Sequence, residues 1–183
     1  MKNNTPLQFE QIVRECKDIF FKKTKDYGTA WRILRISSLT DQIYIKANRI
    51  RSLQEKGTAR INEGIRPEFI GIINYSVMAL IQMELKEDTR IELPIQQAQD
   101  LYDKHLSEAR SLMEDKNHDY DEAWRMMRVS SLTDIILMKL LRVKQIEDNQ
   151  GETLISEGID ANYHDIINYA VFAMIQMSEA DLD

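Results

Sequence analysis

The sequence predicts an all-α protein made by tandem duplication, and three observations carry that reading. First, the same motifs occur twice. Lys23-Thr-Lys-Asp-Tyr27 returns as Lys116-Asn-His-Asp-Tyr120, Ala30-Trp-Arg32 as Ala123-Trp-Arg125, Ser37-Ser-Leu-Thr-Asp41 as Ser130-Ser-Leu-Thr-Asp134, and Ile72-Ile-Asn-Tyr75 as Ile166-Ile-Asn-Tyr169. The offset is 93 residues through Asp41/Asp134 and 94 by Glu63/Glu157, so one residue is inserted in the intervening loop. Second, apolar residues recur at helical spacing in both copies. Third, only six Gly and three Pro punctuate 183 residues, no Asn-Gly or Asp-Gly hairpin turn occurs, and strand-like alternation is not sustained.

Each copy reads as three long helices and a short fourth element. The first helix spans about Leu7–Lys25, repeated at Ile95–Lys116. Phe9, Ile12, Val13, Cys16, Ile19 and Phe20 form its buried stripe. The counterparts Tyr102, His105, Leu106, Ala109, Leu112 and Met113 keep the stripe except at His105, which is read as a partly buried, satisfied histidine. An Asp-Tyr turn follows, then a short amphipathic turn around Trp31 or Trp124, with Asp121 and Glu122 placed to meet a helix N-terminus.

The second helix starts at Ser-Ser-Leu-Thr-Asp, where Ser38 with Asp41 and Ser131 with Asp134 match a carboxylate variant of the capping box. The third opens near Pro67 or Ala161 and runs to Met83 or Met177. It is apolar nearly all round, as a central buried helix is. Lys86–Pro94 connects the copies, giving a first repeat over 1–88 and a second over 89–183, packed as one globular unit. The expected arrangement is a pseudo-two-fold helical bundle with the two third helices in contact, mimicking a homodimer within one chain.

Composition bounds the function. With 43% hydrophobic and 30% charged residues the chain is an ordinary globular protein. Its net charge of −6 lacks the footprint of a general nucleic-acid binder. A single cysteine excludes an internal disulfide and suits a reducing cytosol. No signal core or membrane span is read, so the expected location is cytoplasmic, and a homo-oligomer is compatible with the sequence. The charge is uneven. Phe21–Arg60 holds ten Lys/Arg against three Asp/Glu, a net of +7, whereas Glu114–Leu154 holds six against nine, a net of −3. The first copy thus offers a basic face, read either as a solvated surface or as a seat for an anion.

Motifs of common enzymes are missing: no phosphate loop, dinucleotide fingerprint, His-Glu-x-x-His, paired Cys-x-x-Cys or nucleophile elbow occurs. One Cys and three widely placed His speak against zinc. What remains is carboxylates, Lys/Arg, Asn and Tyr on helices. Lys139 and Arg142, like Lys46 and Arg49, lie three apart on one helical face and suit phosphate oxygens, or else they pair with Asp119 or Glu157 (Asp26 or Glu63) to pin loops. Asp165, Asn168 and Tyr169 share a face of the apolar third helix. A carboxylate there needs a cation, and Asp134, Glu157 and Asp165 are the candidate ligands for Mg2+. The first copy has Gly71 in place of Asp165, so the second copy alone keeps that ligand. Tyr120 and Trp124 are candidates to stack on a base, and equally to cap a small core.

Taken together, Lys-x-x-Asp-Tyr, Ala-Trp-Arg, the Asp-x4-Lys-x2-Arg helix, Glu-Gly and Asp-Ile-Ile-Asn-Tyr-Ala resemble the nucleotide modification associated domain of the first type, over both repeats. The resemblance implies Lys116, Asp119, Tyr120, Asp134, Lys139, Arg142, Glu157, Asp165, Asn168 and Tyr169 as the family-like positions of the second copy. A weaker similarity is to the all-α nucleoside triphosphate pyrophosphohydrolases (the MazG-like group). Its helical metal motif is split here between Glu68-x-x-Gly71 and Asn162-x-x-Asp165. Three functions stay open: a Mg2+-dependent nucleoside phosphate hydrolase centred on the second copy, a non-catalytic nucleotide- or nucleic-acid-binding module, and a purely structural helical protein.

Overall fold

The structure, a computed structural model, describes residues 4–57 and 61–182, and at residues 61–63 the backbone alone. Its elements are α1 (Thr5–Tyr27), α2 (Ile36–Lys56), α3 (Ile61–Glu84), α4 (Ile95–Tyr120), α5 (Val129–Asp148) and α6 (Ile159–Ala180). One-turn 3-10 segments, Ala30–Ile33 and Ala123–Met126, follow α1 and α4. No strand occurs among the described residues, and none of their helices is long and apolar enough to cross a membrane.

Within each repeat the second helix packs on the third, α2 on α3 and α5 on α6. Between repeats α3 packs on α6 and α2 on α5, so the two central helices expected to touch do touch. Both are sheathed in fully buried aliphatics, Ile72, Ile73 and Ile81 on α3 and Ile166, Ile167 and Val171 on α6, in one continuous core. α1 lies on α6 as well as α3, and α4 on α3 as well as α6.

The contact between α2 and α5 is reciprocal. Lys144 Nζ meets Asp41 Oδ1 at 2.9 Å, and Arg51 Nη1 meets Asp134 Oδ1 at 3.5 Å. Thr40 Oγ1 donates to Glu147 at 2.6 Å, while Gln54 Nε2 donates to Thr133 at 3.1 Å. Lys144 and Glu147 stand where the first copy has Arg51 and Gln54, so each interaction occurs once in each direction.

Several boundaries differ from expectation. α2 and α5 begin after Arg35 and Arg128 in extended conformation, and neither start carries a side-chain cap. Ser38 and Ser131 lie inside the first turn, and the capping box does not form. α3 starts six residues before Pro67, which is accommodated inside the helix. Glu122 turns toward Arg125, 2.6 Å away, rather than capping the turn that follows it. α1 stops at Gly28 (φ 65), whose N–H donates to Thr24 O at 2.8 Å. The Glu92 carboxylate presses on that glycine from the linker, so a side chain there meets both a left-handed backbone and a filled space.

Candidate functional site

Duplication produces two matching cavities, each between the first helix, the 3-10 turn and the third helix of its own repeat. The first has a volume of about 500 Å3 and is lined by Lys23, Tyr27, Trp31, Lys46, Asn74 and Tyr75 among others. The second, of about 540 Å3, is lined by Lys116, Tyr120, Trp124, Asp165, Asn168 and Tyr169. Apart from Lys46 and Asp165, these lining residues correspond one to one.

The turn that presents each tryptophan is clamped by repeated polar residues. Arg32 is buried, donating from Nε to Arg90 O at 3.1 Å and from Nη2 to Asp88 O at 2.6 Å. Its remaining nitrogen meets Gln82, whose amide donates to Arg32 O (3.0 Å) and Leu34 O (2.6 Å). In the second copy Gln176 donates to Trp124 O at 2.8 Å, and Arg125 reaches Glu122, Glu179 and Gln8. Ala-Trp-Arg and the distant glutamine are therefore a positioning device. Both indole nitrogens are buried without a hydrogen-bond partner, so each cavity keeps an unused donor in its wall.

The charges differ between the cavities. In the second, Asp165 is 6% exposed and accepts from Lys116 Nζ at 2.7 Å and Lys139 Nζ at 2.8 Å. Burial alone raises a carboxyl pKa, but these two ammonium groups outweigh it and hold Asp165 below the usual carboxylate range. Burial likewise works against the Lys116 ammonium, and the Asp165 carboxylate outweighs it and raises the lysine's pKa. The carboxylate expected to need a cation has found two within the protein.

Asp134 and Glu157 do not join it. Asp134 is exposed on α5 and faces Arg51 across the repeat contact. Glu157 is exposed beside Lys139, Arg142 and Asn162 in a separate polar cavity of about 740 Å3. The three expected magnesium ligands are thus dispersed, because the lysines of α4 and α5 converge on Asp165. Arg142 and Asp119 are exposed, and Asp119 meets only His118, at 3.2 Å. Loop pinning through Asp119 or Glu157 does not arise; the partner that Lys139 finds is Asp165. The expectation for Glu63 lies outside the described residues.

Tyr120 is 73% exposed at the cavity mouth. Trp124 lies flat on Phe172, with centroids 4.2 Å apart and planes within 2°, and the Arg125 guanidinium stands 4.3 Å from its ring. That indole is already stacked, as the core-capping alternative requires.

The first cavity has a matching lining, with Gly71 where the second has Asp165. Lys46 runs along the space above Gly71, where an added Cβ would fall 2.7 Å from its Cδ and Cε. Its ammonium reaches Glu68 at 3.4 Å, shared with Arg49 at 3.3 Å, and lies 5.6 Å from the Tyr75 ring. Lys23 is exposed at the other wall. Among the described residues, no Asp or Glu lines this cavity. The sequence shows these lining residues, but its lone third-helix carboxylate, Asp165, points to the second copy. Gly71 withholds from Lys23 and Lys46 the carboxylate that Asp165 gives Lys116 and Lys139, and Lys46 turns to Glu68 instead.

The asparagines behave as packing residues with one difference. Asn74 donates to Cys16 O at 3.1 Å and accepts from Tyr102 Oη at 2.7 Å, whereas Asn168 donates to Ala109 O at 2.9 Å and leaves Oδ1 buried and unpaired. Position 9, which corresponds to Tyr102, is Phe. Phe9→Tyr should therefore raise unfolding free energy by about 1 kcal/mol, and Tyr102→Phe should lower it by about 1–3 kcal/mol, both read by urea unfolding. Two changes of the same sign would show that the hydroxyl is not the deciding group.

The model of the nucleotide modification associated domain 1 family matches residues 23–83 and 116–177, which together make up more than half of the chain. Both matches begin at a cavity lysine and take in the aromatic, asparagine and tyrosine lining. No curated protein and no solved structure matches the chain. With most of the lining of both cavities inside the matched segments, the chain belongs to the nucleotide modification associated domain 1 family and carries two tandem copies of it.

Proposed function

We propose that the protein is a nucleoside-phosphate-binding module whose ligand sits in the first cavity. The observation that carries this reading is a cavity of about 500 Å3 lined by Lys23 and Lys46, by Tyr27, Trp31 and Tyr75, and, among the described residues, by no carboxylate. Its volume falls in the range of about 300–1,000 Å3 typical of small-molecule sites. Lysine ammonium groups take phosphate oxygens as point charges. The tyrosine rings offer faces to a base, and the buried Trp31 N–H offers a donor. The net charge of +7 over Phe21–Arg60 favours an anion in this copy.

Binding without hydrolysis fits the geometry better than catalysis, because Asp134, Glu157 and Asp165 do not converge on one point. Magnesium belongs in this reading to the nucleotide, since a di- or triphosphate carries the ion with few protein carboxylates. The family's description, nucleotide modification associated, supports the ligand class.

Calorimetry and thermal melts with nucleosides, their mono-, di- and triphosphates and inorganic phosphate test the proposal, with and without Mg2+. The expected result is saturable binding that requires phosphate, weakens with salt and falls at least tenfold in Lys46→Ala. A ligand at 100 times its Kd stabilises the native state by about 2.7 kcal/mol. A melt unmoved by every nucleotide would overturn the proposal, as would salt-insensitive binding.

A further inference from the structure

The second repeat contains a histidine cluster that the cavities do not use. His105 and Glu108 stand one turn apart on α4, and His164 faces them from α6. One donor atom from each lies within 4.8 Å of the others. His105 Nδ1 is 3.1 Å from Glu108 Oε2, and His164 Nε2 is 3.5 Å from that same oxygen. Around a tetrahedral zinc ion with bonds of about 2.0–2.2 Å, neighbouring donor atoms lie roughly 3.3–3.6 Å apart. Both separations to Glu108, 3.1 and 3.5 Å, are close to that spacing, and the two imidazoles offer donor atoms within 4.8 Å of each other. His164 Nε2 is buried without a hydrogen-bond partner, and His105 is 6% exposed.

The surroundings complete the pattern. The other nitrogen of His105, Nε2, lies 2.8 Å from Glu84 Oε2, close but not aligned as a hydrogen bond, and Glu84 is itself held by Lys104 at 2.7 Å. A carboxylate behind a ligating imidazole fixes its tautomer and orientation, and is the usual outer partner of a metal-bound histidine. Comparison between the copies isolates the change. The first copy has Ile12 and Ile70 at the histidine positions, and its Glu15 is gripped by Arg66 at 2.9 and 2.5 Å. The second copy has imidazoles in place of both aliphatics and Asp160 in place of the arginine, so Glu108 has no arginine partner there. His105 and Glu108 precede the segment matched by the family model.

We propose that His105, Glu108 and His164 bind one divalent transition-metal ion of the zinc class, with a fourth position open to solvent on the exposed side of Glu108. Imidazole donors favour Zn2+ and Co2+ over Mg2+. The ion ties α4 to α6 and so braces the second repeat.

The test is titration of Zn2+, and of Co2+ as a spectroscopic probe, into the metal-stripped full-length chain. The expected result is one equivalent bound, visible Co2+ bands of a low-coordinate nitrogen and oxygen site, a raised melting temperature, and no response to Mg2+. His105→Ile and His164→Ile, which import first-copy residues, should each lower affinity at least tenfold. Glu108→Gln, on the exposed rim, should do the same without touching the core. Glu84→Gln should cost about tenfold as the outer partner. Absence of stoichiometric binding, equal binding by the His164→Ile and Glu108→Gln chains, or an equal response to Mg2+ would each overturn the assignment.

Discussion

Asp165→Ala is expected to lower the unfolding free energy by about 3 kcal/mol and the melting temperature by roughly 6–12 °C for a chain of this size. The substitution leaves Lys139, 9% exposed, inside the protein with no counterion, and breaking a buried ion pair by removing one partner typically costs about 3–5 kcal/mol. The lower end applies because Lys116, whose side chain is 48% exposed, can turn to water. The sign of the pH dependence follows from the depressed carboxyl. Asp165 contributes its full stability above the unfolded carboxylate value of about 3.9 and loses it as pH falls through the lower folded value. The gap between wild type and Asp165→Ala should therefore close in acid. It should narrow again at alkaline pH, as the raised Lys116 ammonium loses its proton. Urea unfolding across pH measures both. Equal stability of the two proteins at neutral pH would sink this account of Asp165.

The second large effect is expected at the corresponding position of the other repeat. Gly71→Asp puts a carboxylate where Lys46 now lies, and the clash falls on the flexible stem of that lysine, which can move aside. The new group should draw Lys46 and Lys23 into the closed triad seen around Asp165. Nucleoside phosphate binding should then drop by at least tenfold while the fold persists, because the second repeat shows that the same scaffold accepts the carboxylate. Calorimetry on folded Gly71→Asp reads the outcome. Undiminished binding would place the ligand outside the first cavity. If the wild type binds no nucleotide, the functional proposal fails first, and the fate of Gly71→Asp then concerns stability alone.

The helices were legible because their signal is local. Period, length and the scarcity of Gly and Pro fixed all six, and the apolar girdles of α3 and α6 identified the central pair. The starts of α2 and α5 were misread because Ser38 and Asp41 have the spacing of a cap, and spacing cannot reveal that the aspartate is engaged elsewhere. Asp41 and Asp134 recur because each faces a cation in the opposite repeat, Lys144 or Arg51, about a hundred residues away. The candidate site was legible as a set of residues, but not the contacts that those residues make. Lys116 and Lys139 stand 49 and 26 residues from Asp165, so no local pattern shows that they close on it. The histidines look widely placed along the chain, and only the packing of α4 on α6 joins them. Comparison between the copies shows more than either copy alone, since Ile12, Ile70 and Gly71 stand where the second copy has His105, His164 and Asp165.

The reciprocal seam between α2 and α5 has a consequence for how such a molecule can diversify. Were the same seam formed by two separate chains of one gene, every substitution would fall on both sides at once, and a carboxylate gained in one cavity would be gained in its mate. Here the two halves are joined by a short linker, so the seam closes at a fixed high effective concentration whatever the amount of protein present. Each half then inherits its own mutations. One cavity can close its lysines around a carboxylate for rigidity while its sibling, with Gly71 in that place, does not.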